Sequence, residues 1–401
     1  MDEGSGFSSR LPGWIIGVVP LLLFGLFTWL FIAYSPIQRL SGDVPPIEDV
    51  TVNRVELKDG LFVLHVVNGG QDPVSIAQVQ VDEAYWNFRM EPPSGRIGRL
   101  ETAKIYIPYH WVTGEVHELR LVTKTGLTFD HTVEVALPTP QPDSFHWLMF
   151  ALVGIFVGVI PVGLGLMWFP LLQRLPRSGL RFMLALTIGL LVFLLVDTVA
   201  EGMEIAGSVS DVFHAAPLLI FAGLVSFGLL VAAGNRKKIR DRNSPEGRQW
   251  IATAIAIGIG LHNLGEGMAI GAATAIGEVA LGTFLVLGFA LHNITEGIGI
   301  GAPMASDRPS AGKLAWLALI AGGPAVPGVW LGGFSYSPLL AVLFLSIGAG
   351  AILQVVYEVG KLLVARAEKG ATGFGPSFDW VNVGGVTLGL VIMYATALLV
   401  A

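Results

Sequence analysis

The 401-residue chain has no cysteine, which excludes disulfide staples and thiolate metal centres. It is also short of charge: Asp, Glu, Lys and Arg make up 13% of it, against about 25% in an ordinary soluble domain. With 53% of its residues hydrophobic, it has too little polar surface to clothe one soluble globule. Disorder is excluded too, because low hydrophobicity and high net charge are what keep a chain unfolded. What remains is a membrane protein, whose partners begin with the lipid bilayer and do not include nucleic acid. A bilayer crossing takes about 20 apolar residues, and the chain has nine such runs.

The first run, about Trp14 to Tyr34, follows a short head containing Arg10. It is long for a signal h-region and no small-residue cleavage site follows it, so it reads as an uncleaved anchor. Residues 1–40 are therefore assigned to a cytoplasmic head and N-terminal transmembrane anchor. From about Pro45 to Pro140 apolar and polar residues alternate, as in Val50-Thr51-Val52-Asn53-Arg54-Val55-Glu56-Leu57 and Val74-Ser75-Ile76-Ala77-Gln78-Val79-Gln80-Val81. Lys58-Asp59-Gly60, Asn68-Gly69-Gly70 and Lys124-Thr125-Gly126 separate the runs as turns. Period-two strands with Gly-rich turns predict a small all-β, Ig-like sandwich over residues 41–142. Pro138 to Pro142 reads as a linker. The remainder, 143–401, is read as an all-α membrane domain of eight spans, near 145–170, 181–205, 213–234, 249–274, 279–303, 313–333, 338–363 and 380–400.

Basic residues orient these spans. Fourteen Lys and Arg, among them Arg174, Arg236, Arg248, Arg308 and Lys361, fall in alternate connections, and none falls near 206–212, 275–278 or 334–337. By the positive-inside rule the basic loops are cytoplasmic, while the β domain and the C-terminus lie outside. The outer segment between Leu40 and Asp143 carries 15 acidic and 8 basic residues. That negative balance either concentrates cations near a pore mouth or serves solubility alone.

Few charges lie inside the apolar runs, and those that do are acidic: Asp197, Glu201, Glu204, Glu266, Glu296 and Glu358. An ionised carboxylate in hydrocarbon costs at least ~2.5 kcal/mol, so these groups must be protonated, hydrated or paired with a cation. Neutral acids hydrogen-bonded between helices are the competing explanation. Asp197, Glu201 and Glu204 recur at i, i+4, i+7 and share one helix face. The strongest pattern is a near-repeat, Leu261-His262-Asn263-Leu264-Gly265-Glu266-Gly267 and Leu291-His292-Asn293-Ile294-Thr295-Glu296-Gly297. Each copy sets His and Glu one turn apart, and two antiparallel copies can aim imidazoles, carboxylates and amide oxygens at one point. That donor set suits zinc and similar divalent ions.

With these motifs, the stretch from about Phe145 to Ala401 resembles the ZIP family of divalent metal transporters, most closely its GufA-like bacterial branch. The run Ala349 to Glu358 is similar to the family's seventh helix. The resemblance implies an eight-helix transport core in a bacterial plasma membrane. It also implies a site of His262, Asn263, Glu266, His292, Asn293 and Glu296, and zinc uptake toward the cytoplasm. Iron, manganese and cadmium are the other ions it admits. Gly265 and Thr295 stand where the family usually has proline, and Thr295 can bond back to the helix backbone. Ala321-Gly322-Gly323-Pro324 has no glutamate where the family's sixth helix often does, so one full site is expected.

The function expected is therefore transport, not catalysis, with Asp197, Glu201, Glu204 and Glu358 as polar contacts along the route. Two other readings stay in play. A membrane-embedded dimetal enzyme would favour Glu-x-x-His pairs, and a metal sensor would signal from the outer domain. His65, His110, His117 and His131 in the β domain either feed metal to the pore or are ordinary strand residues. Homodimerisation or docking of another partner is an open role for that domain.

Overall fold

A computed structural model describes residues 13–34, 47–236, 244–368 and 379–398. Arg10, Lys237, Lys238, Arg240, Arg242, Lys369 and the C-terminal Ala401 lie outside the described residues. The chain divides into two units at Ile47 and Glu48. The first contains α1, Gly13–Tyr34, a 22-residue helix whose apolar side chains from Val18 onward are almost all exposed.

In the second unit, alternation produces strands: β1 (Val50–Lys58), β2 (Leu61–Asn68), β3 (Val74–Val81), β4 (Ala84–Trp86), β5 (Arg89–Glu91), β6 (Arg96–Ile97), β7 (Thr102–Pro108), β8 (His117–Thr123) and β9 (Thr128–Val133). They form two antiparallel sheets, ordered β1-β2-β7-β5 and β4-β3-β8-β9, with β6 paired to β3. Every second residue of β7 and of β8 is buried, the period a half-buried strand requires. Phe62, Leu64, Ile97, Ile105, Ile107, Leu119 and Leu121 fill the space between the sheets. Gly60 and Gly126 turn the chain at φ +64° and +92°, values a side chain disfavours. This is the all-β sandwich that the alternation predicts.

Helices follow: α2 (Ser144–Gly154), α3 (Ile160–Met167), α4 (Phe169–Leu172), α5 (Arg177–Gly207), α6 (Ala215–Arg236), α7 (Pro245–Ala275), α8 (Val279–Gly301), α9 (Ala311–Gly322), α10 (Ala325–Ser335), α11 (Pro338–Glu368) and α12 (Trp380–Ala397). Among the described residues seven helical segments are long and apolar enough to cross a membrane, with α2–α4 and α9–α10 each counted as one. The chain thus has the helices of a multi-pass membrane protein. The 31-residue α7 carries the first His-Glu motif and is not among the seven.

Two segments are interrupted. A π turn over Ile155–Val159 joins α2 to α3, and Pro161 has no N–H to return to Val157, four residues back. Between α9 and α10 the break falls at Gly323 and Pro324. Glycines at both breaks let backbones touch: a Cβ on Gly158 would collide with the Gly322 carbonyl.

The β sandwich rests on three helix connections at one end of the bundle. Ser210, between α5 and α6, donates to Asp49 Oδ2 at 2.5 Å. Arg54 donates to the Phe334 carbonyl, near the end of α10, at 2.6 Å. At Gly277, between α7 and α8, a Cβ would lie 2.7 Å from the Val135 carbonyl. The pairing of β1 with β2 shifts between Val52 and Arg54; such bulges re-aim side chains. Leu57 and Thr139 bond in both directions, at 2.9 and 3.0 Å, so the linker is stitched to β1.

Candidate metal centre

The i, i+4 spacing on α7 puts His262 and Glu266 one turn apart, with Nε2 of His262 2.9 Å from Glu266 Oε1. From α8, His292 brings its own Nε2 to the same oxygen at 2.5 Å. All three side chains are buried, and one donor atom from each lies within 4.8 Å of the others. Two buried imidazole nitrogens and a buried carboxylate form a donor set for a divalent transition ion. It is the group of this kind found among the described residues. His65, His110, His117 and His131 of the β domain do not belong to one: His65 bonds Glu56 and His117 bonds Asp82, both at 2.8 Å.

A residue without a sequence signal orients the first imidazole. Thr198 of α5 gives its hydroxyl proton to the Leu194 carbonyl at 2.7 Å and lies 3.2 Å from His262 Nδ1. With its proton committed, the hydroxyl accepts from Nδ1–H, which in a neutral ring leaves the Nε2 lone pair facing Glu266. Partners on the outer nitrogen fix tautomer and ring plane in this way. Thr198 follows Asp197 on the acidic helix, and no spacing rule singles it out.

The remaining motif residues take other positions. Both oxygens of Glu296 are buried without a hydrogen bond, and Glu296 is outside the His262–Glu266–His292 group. It lines a small cavity with Thr187, Leu191, Ile259 and Met393. Thr295 bonds back to the His292 carbonyl at 2.6 Å. Asn263 and Asn293 are wholly buried, and their amide nitrogens each lie 3.0 Å from a backbone carbonyl, of Ala321 and Val157 respectively.

His292 also lines a cavity of about 600 Å³. Asp197, Glu201 and Glu204 line it along α5, and Ser208, Ile276 and Tyr336 belong to its lining as well. The latter three stand in, or next to, the connections on which the β sandwich rests. The i, i+4, i+7 carboxylates thus line the same cavity as residues at that end of the bundle and as His292. Glu358 is not part of this lining. It lies 3.9 Å from Lys361 Nζ, so it is not an acid without a basic neighbour.

No family model matches the chain, and no curated protein matches it.

Proposed function

We propose that the chain is a divalent-metal transporter of the ZIP type, with an eight-helix core in which α7 is the crossing helix beside the seven apolar ones. The observation that carries this reading is the His262–Glu266–His292 group, whose His292 lines a carboxylate-lined cavity. Carboxylates along the cavity attract a hydrated cation, and two imidazoles and a carboxylate exchange for its water. Zinc is the cargo this donor set favours, with iron, manganese and cadmium as competitors. Glu296, with both oxygens buried, is a further donor within the same region. Binding between two motif helices and rearrangement around the site is how transporters commonly work.

The basic loops orient the protein in a bacterial plasma membrane with the β domain outside. The cavity then opens outward, and uptake toward the cytoplasm is the direction of transport. The test is zinc flux into vesicles holding the purified full chain, with Glu266→Ala and Glu296→Ala beside wild type. Flux should fall to background for Glu266→Ala and at least tenfold for Glu296→Ala; unchanged flux in both removes the assignment.

A further inference from the structure

The near-repeat contains an asparagine after each histidine, and the structure gives this pair a use that ligand chemistry does not require. Asn293 Nδ2 lies 3.0 Å from the Val157 carbonyl and 3.2 Å from Glu266 Oε2. Both neighbours only accept, so the amide orientation is determined: flipped, its oxygen would oppose two acceptors. Nitrogen, and not oxygen, therefore faces the central carboxylate. Asn263 does the corresponding thing on α7, donating to the Ala321 carbonyl at 3.0 Å.

Both carbonyls sit at interruptions of a neighbouring segment. Val157 lies in the π turn, four residues before Pro161, and Ala321 lies three residues before Pro324. An interrupted ladder leaves carbonyls in need of donors. The helices come close enough to supply them because glycines stand at the crossings. A Cβ on Gly297 would collide with the Val162 carbonyl, and one on Gly267 with the Ala325 carbonyl. Each motif helix is thereby fastened to the break of a different segment, and through Asn293 the first break is tied to the carboxylate that both histidines approach.

We infer that Asn293 is a positioning residue that holds Glu266 against the broken first segment, with Asn263 as its counterpart anchor on the segment α9–α10. The inference rests on the metal-site reading above. Asn293 bridges backbone and carboxylate, so three nitrogens surround Glu266: the two imidazole Nε2 atoms beside Oε1, and the amide that donates to Oε2. Loss of the amide frees the carboxylate to rotate away from the imidazoles.

The experiment is a zinc titration by calorimetry on the purified full chain and its Asn293→Ala and Asn293→Asp variants, with thermal unfolding of each. A positioning role predicts affinity in the order wild type, Ala, Asp. The Ala variant should lose on the order of tenfold, the usual range for partners of metal ligands. The Asp variant should lose more, because it sets an acceptor against the carbonyl and against Glu266. A direct ligand predicts the opposite order, since Asp offers a better oxygen, and Asp binding as well as wild type overturns the inference. A purely structural pin predicts lowered melting with affinity unchanged, which also overturns it. Should the Asp variant not fold, Asn293→Ser decides: its one hydroxyl donor restores part of the affinity lost in Ala, and Ser no better than Ala overturns the inference. A wild type that binds no zinc would overturn the metal-site reading itself, whereas a wrong order among binding variants overturns only this inference.

Discussion

Arg248 and Asp307 form a two-pronged ion pair that joins the ends of the motif helices remote from the β sandwich. Arg248 lies in the first turns of α7, and Asp307 follows the 3₁₀ turn that ends α8. The Nε–Oδ2 contact is 2.9 Å, a second contact joins Nη2 to Oδ1, and Gln173 bonds the Asp307 carbonyl at 2.5 Å. Side-chain exposure is 14% for Arg248 and 8% for Asp307, so neither charge is well solvated alone. Removing one partner of such a pair costs about 3–5 kcal/mol, mainly from the charge left behind. Arg248→Ala and Asp307→Ala should each lower the melting temperature of the purified protein by several degrees. The exchanged pair Arg248→Asp with Asp307→Arg should recover at least half of that loss. Additive losses in the exchanged pair would show that the two residues act independently.

Thr198 is the next test, because it touches His262 without being a ligand. Thr198→Val keeps the shape and removes the acceptor for Nδ1–H. Zinc affinity should fall about tenfold, while the melting temperature changes little. Calorimetric titration of the variant reads this directly, and wild-type affinity would remove Thr198 from the site.

Arg54 tests the seat of the β sandwich. Its side chain is 12% exposed and reaches the Phe334 carbonyl across the boundary between sandwich and bundle. Arg54→Ala removes a charged hydrogen bond, an effect of roughly 1.5–3 kcal/mol. Hydrogen exchange should quicken in 208–214 and 334–337 and leave the strand interior of the sandwich protected. Unchanged exchange in both connections would mean that other contacts suffice.

Glu56 makes the sandwich sensitive to acid. The hydrogen bond from His65 holds its carboxyl down to about 2 from an ordinary 4.5; burial opposes the shift, and Arg54 and Lys58 assist it. A depressed carboxylate means that the unfolded chain binds the proton more readily, so its contribution is complete above about 4.5 and fades as pH falls toward 2. Unfolding of the full chain followed by strand circular dichroism should show stability dropping through that window. Glu56→Gln should start less stable at neutral pH and lose less on acidification. An identical acid limb in the two proteins would exclude Glu56 as a source of the drop.

Much of this architecture is legible in the sequence because it depends on short-range periodicity. Alternation in Val74 to Val81 makes β3, Gly60 and Gly126 mark real turns, and the apolar runs become long helices with nearly the expected bounds. The i, i+4 spacing alone brings His262 to Glu266, and i, i+4, i+7 alone lines up Asp197, Glu201 and Glu204. Contacts between helices are another matter. They depend on axial offset and crossing angle, which glycines such as Gly165 and Gly297 set through backbone approach, and no periodicity encodes these.

The sequence by itself therefore determined that the chain has membrane-crossing helices beside a β sandwich, which acids stand among apolar residues, and which His and Glu share a helix face. Only the tertiary structure decided that His292 meets Glu266 while Glu296, one turn along the same helix, does not join them. It likewise decided that the α5 carboxylates line a cavity from which Glu358 is absent. It turned the motif asparagines by their nitrogens toward Val157 and Ala321. The physical reason is one of range: a helix repeats within four residues, but the partner of a buried polar group is chosen by whichever backbone comes close enough to need it.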